Sequence, residues 1–511
     1  EISDDADLTL KLLLESDDLL FSDPDFKNTS FIMGPGSELD NKKYTINRIS
    51  EVDPDLEKKV DRKLMPINVG PRPSDVQQGS LGDCYLLSAI GTYIDNACVP
   101  ITSHTHTNNT PVHLYSSAPT HTLIYIYIAT IAEKPELIRD MIKYADMKKG
   151  IFVVRICVNA QFKLVLLDDF FPVYKSSKNT LCFQKYTRSN DVAKHGNSLW
   201  VAVLEKAYAK VHGNYQNIVG GFEDQAMADL TGGIPDRMTD LKKNMEETWT
   251  MIMNLQQGGH LLGAGSQSGK DTDTNDQGIV KGHAYSILEV KQVDKHRLLQ
   301  MRNPWGHKEW SGRWADNSPE WTPRYKKLLN YVNADDGTFW ISIEDFVRNF
   351  RAIYYCKLVN NCKQLILQGE WNKTNKTAGG CQYQECLDNP QYLLKVASKC
   401  KVIVVLTQNE NIKSGDVYDD NRYSSVKAIG LHAKKYPSGQ TSGKLTSARA
   451  TMVAQRTFSY ARDMTLEFTV DERDNVIIVP CMFKKNDENT FTMKVYADTS
   501  ELKCTQIYPE I

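Results

Sequence analysis

Apolar positions along the chain change texture near residue 358. Before it, helical and alternating patterns interleave. A helix-periodic stretch at 86–94 follows the glycine-punctuated Gln78-Gly79-Ser80-Leu81-Gly82-Asp83-Cys84, strand-like runs occupy 151–158 and 162–170, and a helix is predicted over 198–211. Two further strands, 282–290 and 297–304, are joined through Val293-Asp294-Lys295-His296. Beyond 358 come short apolar runs at 392–396, 402–406, 428–432, 465–468, 476–479 and 491–495, separated by polar loops, the spacing of an antiparallel β-sandwich. The predicted organisation is an N-terminal anchor segment over 1–44, a first lobe over 45–220, a second over 221–357, and a sandwich over 358–511.

Composition narrows the class. A chain of 511 residues with 41% hydrophobic content has room for about three domains. A net charge of −2 leaves no basic footprint, so nucleic acid is not an expected partner. The eleven cysteines are odd in number and scattered, which argues against a secreted disulfide framework and for a reducing compartment. Cys381 and Cys386 form a C-x4-C pair, a weak zinc signal without a second pair or convincing histidines. The acidic start lacks the pattern of a secretory signal, and no apolar run approaches the roughly 20 residues of a membrane span. A cytoplasmic location is expected.

Cys84 begins a helix six residues after Gln78. Aligned peptide dipoles there favour a thiolate, and the Gln78 amide is placed to donate to an oxyanion. A structural thiol is the plain alternative. If Asp294 and Lys295 form the turn of the predicted hairpin, His283 lies opposite residue 306 and Asn303 sits three positions away on the facing strand, within reach of the imidazole. Nucleophile, base and orienter of a Cys-His-Asn triad are then all present.

The strings that carry this pattern resemble the calpain family of calcium-dependent, papain-like cysteine endopeptidases. They are 78–87, Leu204-Glu205-Lys206-Ala207-Tyr208-Ala209-Lys210, Thr231-Gly232-Gly233, 282–286, Arg302-Asn303-Pro304-Trp305-Gly306, Glu309-Trp310-Ser311-Gly312-Arg313-Trp314 and Asp336-Gly337-Thr338-Phe339-Trp340. The resemblance implies an α+β fold, a two-lobed papain-like cysteine protease core followed by an antiparallel β-sandwich. It implies Cys84 as nucleophile, His283 as general base and acid, Asn303 as orienter, Gln78 as oxyanion donor and Trp305 as a cleft residue shielding the His–Asn bond.

It also implies Ca²⁺ in each lobe, with protein substrates as partners. In the first lobe the ligand positions fall on the carbonyls of Asn68 and Gly70 and the carboxylates of Asp75 and Glu205. In the second they fall on Glu309, Asp316, Asp336 and the carbonyl of Ala334, while the family's last acidic ligand is replaced by Thr338, so weaker calcium binding is expected there. The sandwich resembles one whose acidic loops respond to calcium or an anionic membrane surface; Asp416, Asp419 and Asp420 form the nearest such loop, and a solvated turn is its plain reading. No EF-hand signature occurs, so dimerisation with the family's small subunit is not expected.

Two segments stand apart. The polar loop 263–278 reads as a mobile gate, and the His/Thr-rich 96–134, about 30 residues longer than the family's spacing, reads as low complexity. The competing functions are a catalytically silent, calcium-responsive binding protein on the same core, and an acyltransferase sharing the thiolate chemistry.

Overall fold

The computed structural model describes residues 20–24, 26, 32–34, 44–48, 86, 141–146, 148–174, 177–181, 200–270, 273–359, 362–381, 385–410, 426–437, 440, 442–446 and 450–509. Contacts divide the chain into two compact units, one of 1–156, 164–230 and 237–357, the other of 157–163, 231–236 and 358–511.

The elements up to residue 357 are, in order, β1 (Tyr44–Arg48), β2 (Ile142–Asp146), β3 (Ile151–Val158), β4 (Gln161–Asp168), β5 (Phe170–Tyr174), β6 (Ser177–Leu181), α1 (Trp200–Val211) and α2 (Glu223–Thr231). They continue with β7 (Ile234–Thr239), α3 (Met245–Gln257), β8 (Leu261–Ser266), β9 (Ala284–Val293), β10 (His296–Arg302), α4 (Pro323–Leu328), β11 (Thr338–Ser342), α5 (Ile343–Asn349) and β12 (Phe350–Lys357). The run expected over 162–170 is interrupted at Asp169, which separates β4 from β5.

Helix α1 is held by two lysines. Lys206, fully buried, donates from Nζ to the carbonyls of Asp168 at 2.8 Å and Phe170 at 2.7 Å and pairs with the Asp168 carboxylate. One turn on, Lys210 donates to Leu166 O at 2.9 Å and to Asp23 at 2.5 Å. A buried ammonium with three acceptors has its desolvation offset by charge-assisted bonds, so it fixes the helix position and with it Glu205.

A six-stranded sheet in the order β11-β10-β9-β8-β12-β7 follows. Helix α3 covers it and is specified locally. The Asn244 side chain accepts from Glu247 N at 3.1 Å while donating to the Glu247 carboxylate at 2.9 Å, and Trp249, Ile252 and Leu255 bury one face. These side chains join Tyr285, Ile287, Leu299, Met301, Phe339 and Phe346 in the core. A second aromatic cluster, Trp314, Trp321 and Trp340 with Leu298 and Leu329, packs separately and holds the loop around residue 316.

The β9–β10 hairpin turns at Asp294 and Lys295, with Asp294 at φ 54. Its register runs Val293↔His296 to Glu289↔Gln300 as the sequence predicts, then slips at a bulge between Gln300 and Met301, so Ile287 faces Met301 and Ser286 faces Arg302. The loop expected to be a mobile gate needs correction. Its first residues are the wholly buried end of β8, and its last are cross-bonded: the Asn275 side chain accepts from Gln277 N and Ile279 N and donates to the Asn349 carboxamide at 2.7 Å. An Asx side chain that satisfies loop amides, anchored in turn on α5, is a fixed connection.

The second unit contains β13 (Lys363–Trp371), β14 (Gln391–Val396), β15 (Cys400–Gln408), β16 (Ala428–Lys435), β17 (Thr451–Tyr460), β18 (Asp463–Val470), β19 (Val476–Met482), β20 (Asn489–Ala497) and β21 (Leu502–Tyr508). They form two antiparallel sheets, β13-β20-β15-β18 and β17-β16-β19-β14-β21, sharing one apolar core that includes Trp371, Tyr392, Val404, Leu431, Ile478 and Met493. This is the expected sandwich. Its acidic loop, Asp416, Asp419 and Asp420, lies outside the described residues, as do the segment 96–134 and most of 1–44. No helix among the described residues is long and apolar enough to cross a membrane.

Candidate active site

His283 precedes β9 and is clamped by Ser266 at the end of β8. Its N–H donates to Ser266 Oγ and its carbonyl accepts from Ser266 N, each at 2.9 Å. Asn303 follows β10 directly, and its N–H donates to Gly337 O at 2.8 Å. The bulge, which places one extra residue, Leu288, in β9, shifts Asn303 by one position relative to an unbroken register, and its side chain reaches the imidazole: His283 Nε2 lies 2.9 Å from Asn303 Oδ1. Both residues are buried, at 2% and 0% exposure.

The Asn303 carboxamide has only one orientation that satisfies its surroundings. Its Nδ2 donates to the carbonyls of His307 at 2.9 Å and Lys308 at 3.0 Å, while Oδ1 also accepts from Trp305 N at 3.1 Å. Carbonyls accept only, so the nitrogen faces them and the oxygen faces histidine. His283 Nε2 must then carry a proton, and in the neutral ring Nδ1 is the acceptor. Trp305 lies with its ring centroid 4.6 Å from that of His283 and tilted by 48°, which keeps water from one side of the His–Asn bond. Tyr285 meets the imidazole edge-on at 5.2 Å.

Cys84 and Gln78 lie outside the described residues, as do Asn68, Gly70 and Asp75. Of the first lobe's expected ligands, Glu205 is described, buried on α1 at 2% exposure.

The acids expected to hold the second ion are each bonded to backbone amides of 334–338. Glu309 Oε1 accepts from Asp336 N at 3.0 Å and Gly337 N at 2.8 Å, Asp316 Oδ2 accepts from Ala334 N at 3.1 Å, and Asp336 Oδ1 accepts from Thr338 N at 2.9 Å. Burial, reinforced by the charges of Asp316 and Asp336, pushes Glu309 up to about 7, and burial likewise raises Asp316. The charge of Asp336 adds to both shifts, and carboxylate oxygens are the donors a hard divalent cation takes. Thr338 adds no charge to it. The same loop buttresses Asn303. Gly337 sits at φ +86, and a Cβ there would lie 2.7 Å from Asn303 O.

Comparison with known proteins adds the family. The pattern described as "Calpain family cysteine protease" matches residues 124–357, and that described as "Calpain large subunit, domain III" matches 367–496. The chain belongs to the calpain family. Among its relatives, the "Calpain-type cysteine protease DEK1" of Zea mays is 33% identical over 448 residues, 84% of this chain and 18% of that protein. "Calpain-B" of Drosophila melanogaster is 29% identical over 83% of this chain and 45% of its own length, and the "Calpain-1 catalytic subunit" of Macaca fascicularis 27% over 84% and 58%. The chain thus spans under a fifth of the plant relative and about half of the animal ones. The protease match contains His283, Asn303 and the Glu309–Asp336 loop, and it starts after Cys84.

The structure brings together His283, Asn303 and Trp305, which the sequence strings singled out. They did not indicate Ser266, which fixes the His283 backbone. Nor did they indicate that Cys386 has companions in His432 and Cys481, far away along the chain.

Proposed function

We propose that this chain is a calcium-dependent, cytoplasmic cysteine endopeptidase that makes limited cleavages in protein substrates through a thioacyl-enzyme intermediate. The observation that carries the reading is the Asn303 carboxamide, whose nitrogen is committed to two carbonyls, so that His283 holds its proton on Nε2 and presents Nδ1 as a base. In the proposed reaction the Cys84 thiol gives its proton to His283 Nδ1, and the thiolate adds to the peptide carbonyl. The Gln78 amide donates to the resulting oxyanion, His283 returns the proton to the leaving amine, and water then releases the acyl group by the reverse sequence. Asn303 keeps the imidazolium oriented, and Trp305 excludes water from the bond that does so.

Calcium would be held by Asn68, Gly70, Asp75 and Glu205 in one papain-like lobe and by Glu309, Asp316, Ala334 and Asp336 in the other, neutralising the facing carboxylates and fixing the loop that supports Asn303. With Thr338 in place of an acid, the second site binds it more weakly.

Casein cleavage against calcium concentration tests the reading in four chains: wild type, Cys84→Ala, His283→Ala and Thr338→Glu. The expected result is calcium-dependent cleavage by wild type, none by the first two variants, and a lower calcium requirement for Thr338→Glu. Calcium binding without cleavage by the wild-type chain would favour the silent binding protein, and amine incorporation without cleavage the acyltransferase.

A further inference from the structure

The five-stranded sheet of the second unit carries a small apolar cluster on the face turned away from the sandwich core. Along β19, Val476, Ile478 and Met482 belong to the core, whereas Ile477, Val479 and Cys481 join Cys386, Leu387 and Leu445. β16 divides the same way. Ile429, Leu431 and Ala433 are core residues, which places His432 on the cluster side. His432 pairs with Val479, so Cys481, two residues on, is its diagonal neighbour on one face. The 3-10 turn Glu385–Asp388 packs over them and brings in Cys386.

Three ligand atoms converge as a result. Cys386 Sγ lies 3.2 Å from Cys481 Sγ and 3.2 Å from His432 Nδ1, and Cys481 Sγ lies 3.8 Å from the same nitrogen. The residues are buried, at 2%, 0% and 9% exposure. They are the only trio of Cys, His or carboxylate ligand atoms this close among the described residues. The edges of a tetrahedral zinc site, with bonds of about 2.3 Å to sulfur and about 2.0 Å to nitrogen, are about 3.5 to 3.8 Å, so the two sulfurs need to part by about 0.6 Å and the sulfur–nitrogen separations to change by about 0.3 Å.

We propose that Cys386, His432 and Cys481 bind a zinc ion, with Cys381 as the fourth ligand, and that the ion clamps the 385–388 turn to the sheet. Cys381 stands five positions before Cys386, and its N–H donates to the carbonyl of Phe483, two residues beyond Cys481, at 3.0 Å. Cys381, Cys386 and Cys481 are unbridged thiols. The electrostatics agree. The hydrogen bond from Cys481 draws the Cys386 thiol down to about 5 against the opposing effect of burial, with His432 and Lys434 assisting. Burial, then the neighbouring Cys386, pushes Cys481 up, and Cys381 adds to that. A disulfide would use the two sulfurs and leave His432 and Cys381 without a role.

The test is metal content by mass spectrometry of the whole chain carrying Cys84→Ala, which removes a thiolate able to bind zinc on its own. The chain is reduced, incubated with zinc and passed over a chelating resin. One zinc per chain is expected, lost in Cys386→Ser and Cys481→Ser and retained in His432→Cys. Cobalt in its place should give a thiolate-to-metal charge-transfer band that weakens in Cys381→Ser, and this reading needs no folded ligand-loss variant beyond that one. A zinc-free reduced chain would overturn the proposal. So would zinc retained by both serine variants, or a chain isolated with Cys386 and Cys481 cross-linked and indifferent to zinc. An undiminished cobalt band in Cys381→Ser would remove Cys381 from the site.

Discussion

Asn303 uses both ends of its carboxamide, and that double commitment is what turns a buried histidine into a base of defined tautomer. Asn303→Ala should lower kcat/KM for a peptide substrate by on the order of 10²-fold or more, because the imidazole loses its orienting acceptor. Peptide hydrolysis at saturating calcium checks this, and an unchanged value would mean that Trp305 and Tyr285 alone hold the ring. Glu309 gives a prediction of opposite character. Its carboxyl is raised from 4.5 to about 7 in the folded chain. The folded state therefore holds the proton more tightly than the unfolded one, and without calcium stability falls as pH rises from about 4.5 through about 7. Glu309→Gln should flatten that part of the melting-temperature profile recorded in chelator, and parallel profiles for the two chains would refute the cause. At this scale the contact of His283 with Asn303 was readable from the hairpin. Ser266 was not, because one serine at the end of a buried strand carries no signal of the histidine it will face.

The elements show where sequence reading reaches its limit. Turn residues Asp294 and Lys295 were sufficient to set the hairpin register for five pairs, since a two-residue turn allows little else. The bulge left no mark, because its extra residue, Leu288 of β9, fits an ordinary strand. The six sandwich strands predicted all form. The three that were missed, β13, β17 and β21, are sheet edges, and edge strands combine buried and exposed positions without a sustained apolar run. The loop from Glu309 to Thr338 carries the acids and touches Asn303. Gly337→Ala should destabilise the chain by roughly 1 kcal/mol or more, because it requires φ +86 of a residue with a Cβ and drives that Cβ against Asn303 O. Chemical denaturation measures the first effect, and a parallel fall in kcat would show that the loop supports the triad. Full stability together with full activity would contradict both.

At the scale of the whole molecule, a protease unit and a β-sandwich unit each follow from their own patterning, and the family comparisons match each separately. The Cys386, His432 and Cys481 cluster could not be read from the chain, because its members lie on a turn and two strands whose sequence separations carry no metal-binding spacing. The catalytic reading rests on His283 and Asn303 being completed by Cys84. Its most direct test is alkylation of Cys84 by a limiting amount of iodoacetamide, located by peptide mass spectrometry, with and without calcium, in wild type and in His283→Ala. The account predicts selective, calcium-dependent labelling of Cys84 that His283→Ala abolishes. Labelling of Cys84 no faster than that of the other cysteines, or labelling unaffected by His283→Ala, would contradict it.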